Sequence, residues 1–216
     1  MKIEGTVIYS GQTYLDTEED LEFDDLVFEG EGGIIIQYNQ KISANTVMTN
    51  KPSGKFPQFT FTTVKPLINE TRSGEIDDNN AAGLIINDLK SNIRVVNTGK
   101  RGGDGGRGGD GREGICVPPG SANGLGGFGA AGGNGGKGGD GGDGPDLIIK
   151  NESLNGISIE IEIKQAPGGK GGNGGKGGQG GKNADGSFAP NGADGADGEN
   201  GKDGKKGRVK LNNKVI

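Results

Sequence analysis

Apolar and polar residues alternate along this chain in two regimes. Over residues 1–98 the apolar positions form short aliphatic and aromatic runs: Leu21-Glu22-Phe23, Leu26-Val27-Phe28, Ile34-Ile35-Ile36, then Ile42 and Val47. Runs of this length, bounded by Gly, Asn and Asp, predict strands. No 3.6-residue period is sustained, so the pattern predicts almost no α-helix. A weak repeat connects the runs. Gly33-Ile34-Ile35-Ile36 is followed by Ile42, Gly83-Leu84-Ile85-Ile86 by Ile93 and Val95, and Asp146-Leu147-Ile148-Ile149 by Ile157, Ile159, Ile161 and Ile163. Each copy reads as a strand, a polar corner and a second strand, and units of this kind stack as rungs. The expectation for residues 1–98 is a β-rich domain, either a β-solenoid or a small β-sandwich. The third copy is expected as a strand pair at 146–164.

The second regime runs from Gly99 to Gly207, where glycine recurs at every third position in one phase, often with a second glycine beside it. A three-residue period matches the polyproline II backbone, which has three residues per turn and no internal hydrogen bonds. One position of each triplet then falls on one face, and a glycine face lets neighbouring backbones approach closely. The prediction for residues 99–216 is a bundle of polyglycine II helices, interrupted by the strand pair. Four rods are expected at about 99–114, 126–144, 168–181 and 192–207. Rods two and three have two glycine faces and suit the interior; rod four has one and suits an edge. Arg208-Val209-Lys210-Leu211 then returns as a last strand.

The remaining triplet positions form side-chain stripes. Rod one carries Arg101, Asp104, Arg107, Asp110 and Glu113; rod three carries Lys170, Asn173, Lys176, Gln179 and Lys182; rod four carries Asp194, Asp197, Asn200 and Asp203. These stripes are either solvated or face one another as ion pairs that fix register. Rod two differs, because its stripe begins with Leu125, Phe128 and Ala131. An apolar patch on a polar rod is either packed against the β part or exposed for a partner.

Composition narrows the function classes. Only 29% of the 216 residues are hydrophobic, 49 are glycine, and the net charge is −5. Scarce aromatics and dispersed basic residues argue against nucleic acid as a partner. No apolar run approaches a membrane span, and the first residues carry no secretory signal pattern. With no His and one cysteine, Cys116, the common triads, zinc sites and disulfide frameworks are ruled out. No cofactor is expected. Calcium binding by Asp185, Asp194, Asp197 and Asp203 is the weaker reading, since the aliphatic positions of a calcium β-roll are missing. Glu160 and Glu162 share a strand face and read as the outer face of that strand rather than as a catalytic pair. The Gly124–Gly129 stretch fits G-x-G-x-x-G by composition alone, with no strand before it and no helix after it. Asn69-Glu70-Thr71 and Asn151-Glu152-Ser153 are glycosylation sequons only in a eukaryotic secretory setting.

The Gly-Gly-x rods of residues 99–207, with charged third positions and turns between them, resemble the polyglycine II domain of T-even-type bacteriophage tail-fibre tip adhesins. More weakly they resemble the snow flea antifreeze protein. The adhesin resemblance implies a non-enzymatic protein on a virion or outside the cell, whose loops at the bundle's end bind a cell-surface glycan or protein receptor. It also implies a fibre or shaft protein as a second partner. The loop residues that would carry recognition are Ile115, Val117, Leu125 and Phe128 in one group and Ser187 and Phe188 in another. An ice-binding or surface-layer protein, and a β-solenoid glycan-active enzyme, are the alternatives.

Overall fold

The computed structural model describes residues 1–15, 17–37, 40–50, 56–63, 76, 81–118, 124–151 and 157–216. The described chain is mainly β-strand, with no helix. It divides into two units that are discontinuous in sequence. The first holds residues 1–100, 142–166 and 204–216; the second holds 101–141 and 167–203. The division therefore differs from a single boundary at residue 98, because the strands at 146–164 and the C-terminal residues join the first unit.

Among the described residues the first unit has twelve strands: β1 (Lys2–Tyr9), β2 (Gln12–Leu15), β3 (Leu21–Glu29), β4 (Gly33–Ile36), β5 (Lys41–Asn50), β6 (Gln58–Thr63), β7 (Ala82–Leu89), β8 (Ile93–Gly99), β9 (Leu147–Asn151), β10 (Ile159–Ile163), β11 (Val209–Leu211) and β12 (Lys214–Val215). From β1 to β11 successive strands alternate between two sheets, ordered β1-β3-β5-β7-β9-β11-β12 and β10-β8-β6-β4-β2. All pairings are parallel except β11–β12. The strands at 146–164 thus do not pair with each other. β9 bonds to β7 and β10 to β8, each extending a different sheet.

Parallel register puts equivalent positions of successive strands in one column. Ile34, Phe59, Val95 and Ile161 are matched across β4, β6, β8 and β10. Leu21, Ile42, Leu84, Ile149 and Leu211 are matched across the other sheet. Most of these side chains are fully buried and form one core. Alternation along each strand sends one set inward and the other outward. Phe28 stacks on Tyr9 and meets Phe59 edge to face at 5.3 Å. One column contains a polar residue: Phe61 is followed by Asn97, which is fully buried and donates its Nδ2 to the Pro145 carbonyl at 2.9 Å. The C-terminal hairpin turns at Asn212 and Asn213, whose φ values are 44° and 71°. Asparagine tolerates this left-handed region better than most residues.

The second unit is organised by backbone hydrogen bonds between glycine-rich segments: G1 (101–118), G2 (124–141), G3 (167–182) and G4 (189–203). In G1 the amides of Gly102, Gly105, Gly108, Gly111 and Gly114 donate to carbonyls of G3 at 2.7–3.0 Å. G2 uses two phases. Ala130, Gly133, Gly136 and Gly139 donate to G1, and Gly129, Gly132, Gly135, Gly138 and Gly141 donate to G4. G3 donates to G2 from Gly169 to Gly181, and G4 donates to G3 from Gly192 to Gly201, each at every third residue. G2 and G3 therefore bond to all three other segments. G1 runs parallel to G3, and G2 parallel to G4; the other pairs are antiparallel.

Close approach explains the glycines. A Cβ at Gly135 would lie 1.8 Å from the Gly172 oxygen, and one at Gly174 would lie 2.0 Å from the Gly195 oxygen. G1 packs one glycine face and leaves the other open. Its inner glycines are equally tight, but Gly103, Gly106 and Gly109 face open space.

The stripes are exposed to solvent, as one of the two expected readings has it, and their short polar side chains also complete this network. Asp104 and Asp110 accept the Lys170 and Lys176 amides, each at 2.9 Å. Asn134 and Asp140 accept the Ala196 and Lys202 amides at 3.0 and 2.8 Å. Asn191, Asp194, Asp197, Asn200 and Asp203 accept amides of Gly180, Gly177, Gly174, Gly171 and Gly168. Between parallel segments the device is a two-point clamp. Asp104 takes the N–H of Lys170 while the next residue, Gly105, donates to the carbonyl of the same lysine at 2.7 Å. Ion pairs join Arg101 to Asp104 and Arg107 to Asp110, within one stripe rather than across two.

Candidate functional site

The segment ends of the second unit gather three pieces of chain: 115–118, 124–128 and 181–190. Backbone bonds hold them together. Gly127 donates to the Ile115 carbonyl at 2.9 Å, Val117 to Lys182 at 3.0 Å, and Ala184 to Gly124 at 3.0 Å. Lys182 and Phe188 form an antiparallel bridge. The Lys182 amide also donates to Cys116 Sγ at 3.4 Å.

Residues 183–187 make a tight turn between the bridge residues. The Asn183 amide donates to the Ser187 carbonyl and the Gly186 amide to the Asn183 carbonyl, with Gly186 at φ 87°. That angle suits glycine, which has no Cβ to clash there. The turn's polar side chains bond to one another. Asn183 Oδ1 accepts the Gly126 amide at 2.7 Å, and its Nδ2 donates to Ser187 Oγ at 2.8 Å. Ser187 Oγ donates to Asp185 Oδ1 at 2.6 Å, and the Ser187 amide donates to the same oxygen. Those two bonds, the hydroxyl first, hold the Asp185 carboxyl below its ordinary pKa.

All six residues singled out from the sequence fall in these pieces of chain. Ile115 and Leu125 are more than four-fifths exposed, Phe128 is 74% exposed and Phe188 57%. Phe128 and Leu125 are thus outward residues rather than packed core. Ser187 is exposed but spends its hydroxyl and amide inside the turn. Val117 is half-buried, against Gly124, where an added Cβ would come within 2.5 Å of it. The sequence pattern did not single out Asn183, the residue that links the turn to G2. Its signal is a polar residue whose partner, Gly126, lies 57 positions away.

The other sequence candidates are occupied structurally. Asp194, Asp197 and Asp203 each direct an oxygen at a G3 amide, and Asp185 serves its own turn. Among the described residues no three acidic or cysteine side chains converge as a metal site. Glu160 and Glu162 flank Arg94 on the outer face of β8 and β10, with Lys164 3.1 Å from Glu162. The sequon at Asn69 lies outside the described residues, and Asn151 of the other is buried.

Comparison of the chain with protein families, with curated proteins and with solved structures finds no match.

Proposed function

We propose that this protein is a non-enzymatic recognition protein, of the kind that forms an adhesive fibre tip on a virion or outside a cell. In this reading the first unit is a β-solenoid and the second a polyglycine II bundle. The loops 115–118, 124–128 and 183–188 bind a cell-surface glycan or protein receptor, and a fibre or shaft protein carries the whole. The three-residue period of the hydrogen bonds and the sub-2.5 Å spacing that admits only glycine support the bundle.

One observation carries the recognition reading. Ile115, Leu125, Phe128 and Phe188 are large apolar side chains exposed together on segment ends whose backbone is braced by hydrogen bonds. Burying one such side chain in a partner is worth about 1.5–3 kcal/mol. A braced loop also loses less conformational freedom on binding. The test is attachment of the purified protein to its target cells, compared with Phe128→Ala and Phe188→Ala. At least one variant should bind more than tenfold more weakly, equivalent to about 1.4 kcal/mol, at an unchanged melting temperature. Normal attachment by both variants would refute the loop reading.

A further inference from the structure

Two stretches of this chain are identical over eight residues. Residues 132–139 in G2 and 171–178 in G3 both read Gly-Gly-Asn-Gly-Gly-Lys-Gly-Gly. Each contains an Asn-Gly step, and both asparagines, Asn134 and Asn173, are exposed to solvent. Their local chemistry is the same, so a difference in reactivity between them reports only what the fold does to each.

We infer that Asn173-Gly174 is a site of spontaneous deamidation in the folded protein, while the identical step at Asn134-Gly135 is protected by its clamp. In the reaction the glycine nitrogen gives up its proton and bonds to the asparagine Cγ, closing a five-membered imide. The bond from Cγ to the side-chain nitrogen breaks, and that nitrogen leaves as ammonia with the proton. Water then opens the imide at either carbonyl, leaving aspartate or isoaspartate. The net change is one water consumed and one ammonia released, with no oxidant or reductant.

Both reacting groups are held at Asn134. Its Oδ1 accepts the Ala196 amide at 3.0 Å, and the Gly135 amide donates to the Ala196 carbonyl at 2.9 Å. The nitrogen and the carbon that must meet are tied to opposite ends of one residue on G4. The same double restraint holds at Asn191, bonded to Gly180 with Gly192 bonded to Gly178, and at Asn200, bonded to Gly171 with Gly201 bonded to Gly169. At Asn173 only the nitrogen is tied. The Gly174 amide donates to Asp197 Oδ1 at 2.8 Å, while the Asn173 side chain holds no hydrogen bond to a described residue. Its Cγ turns freely toward the glycine nitrogen. The product places a carboxylate in the stripe between Lys170 and Lys176, and isoaspartate adds a backbone methylene to a three-residue repeat.

The experiment ages the intact protein at physiological temperature and mildly alkaline pH. Aspartate and isoaspartate at each step are then quantified by peptide mapping, in buffer and in urea. In buffer Asn173 should convert at least tenfold faster than Asn134, the factor that about 1.4 kcal/mol of extra restraint gives. In urea the two rates should be equal. Equal rates in buffer, faster loss at Asn134, or no loss at Asn173 while the unfolded chain converts would each overturn the proposal. So would a difference that persists in urea. Ala196→Pro removes the clamping N–H with a ring that suits extended backbone. It should bring Asn134 towards the rate of Asn173, and a folded variant with Asn134 still protected would overturn the assigned cause.

Discussion

Alanine at Gly105 and alanine at Gly106 should have opposite effects on stability, although the two glycines are adjacent. A Cβ at Gly105 would lie 2.0 Å from the Gly136 oxygen and 2.8 Å from the Gly172 nitrogen. Those two atoms are themselves hydrogen-bonded at 2.8 Å. Reaching ordinary van der Waals contact requires a retreat of more than about 1 Å. That movement breaks or strains three bonds: Gly172 to Gly136, Gly105 to Lys170, and Gly136 to Gly106. At about 1 kcal/mol for each bond, the loss is about 3 kcal/mol. At Gly106 a Cβ meets nothing within 4 Å, and φ is not in the left-handed region. Alanine there restricts the unfolded chain and should stabilise by about 0.4–1 kcal/mol. Urea unfolding of the two variants, followed by amide exchange at Gly172, measures both effects. Equal destabilisation by the two substitutions, or rapid exchange at Gly172 in the wild-type protein, would refute the close-packed reading of G1.

Two further outcomes follow from polar groups. The Lys170 amide, with the Arg101 guanidinium, holds Asp104 below its ordinary pKa of 3.8, and the Lys176 amide with Arg107 does the same for Asp110. A lowered folded-state pKa gives stabilisation that is present above the unfolded value and lost as pH falls through the folded one. The melting temperature should therefore drop as pH falls below 3.8. Asp104→Asn with Asp110→Asn, which keeps an oxygen acceptor, should flatten that acid limb. Asn97→Leu removes the buried donor to Pro145 O, and leaving that carbonyl unpaired should cost about 1–3 kcal/mol, read from a urea midpoint.

The sequence made the individual segments legible and their partners much less so. Ile34-Ile35-Ile36 and Leu147-Ile148-Ile149 announce strands because apolar runs of that length need a sheet. β2 and β6 are passed over, since Gln12–Leu15 and Gln58–Thr63 set their apolar residues among threonines and polar neighbours. The strand-corner-strand copy at 146–164 stacks on the copies before it, as the repeat implies: β9 lies on β7 and β10 on β8, which puts Ile149 and Ile161 in matched columns. The glycine phase marks which residues face inward. It cannot report that Gly106 faces open space, because that depends on how many segments surround G1. The acidic stripe reads as solvated, and Asp194 and Asp197 are exposed. The pattern does not report that each also accepts a G3 amide left over by the glycine-rich backbone. Of the candidate site, Ile115, Leu125, Phe128 and Phe188 were legible as apolar residues out of pattern. The link from Asn183 to Gly126 depends on distant contacts.

The glycine-packed unit places its main chain inside and its side chains outside, the reverse of the strand unit with its aliphatic columns. This difference governs heat capacity. Exposing apolar surface on unfolding raises heat capacity by about 0.45 cal/K/mol per Å², whereas exposing polar surface lowers it by about 0.26. Opening the strand unit uncovers Phe23, Phe28, Phe59 and their neighbours. Opening the glycine unit uncovers mostly amides and carbonyls. The first therefore has a curved dependence of stability on temperature and weakens on cooling. The second has a nearly straight one, and the cold that loosens an oily core leaves its hydrogen bonds in place.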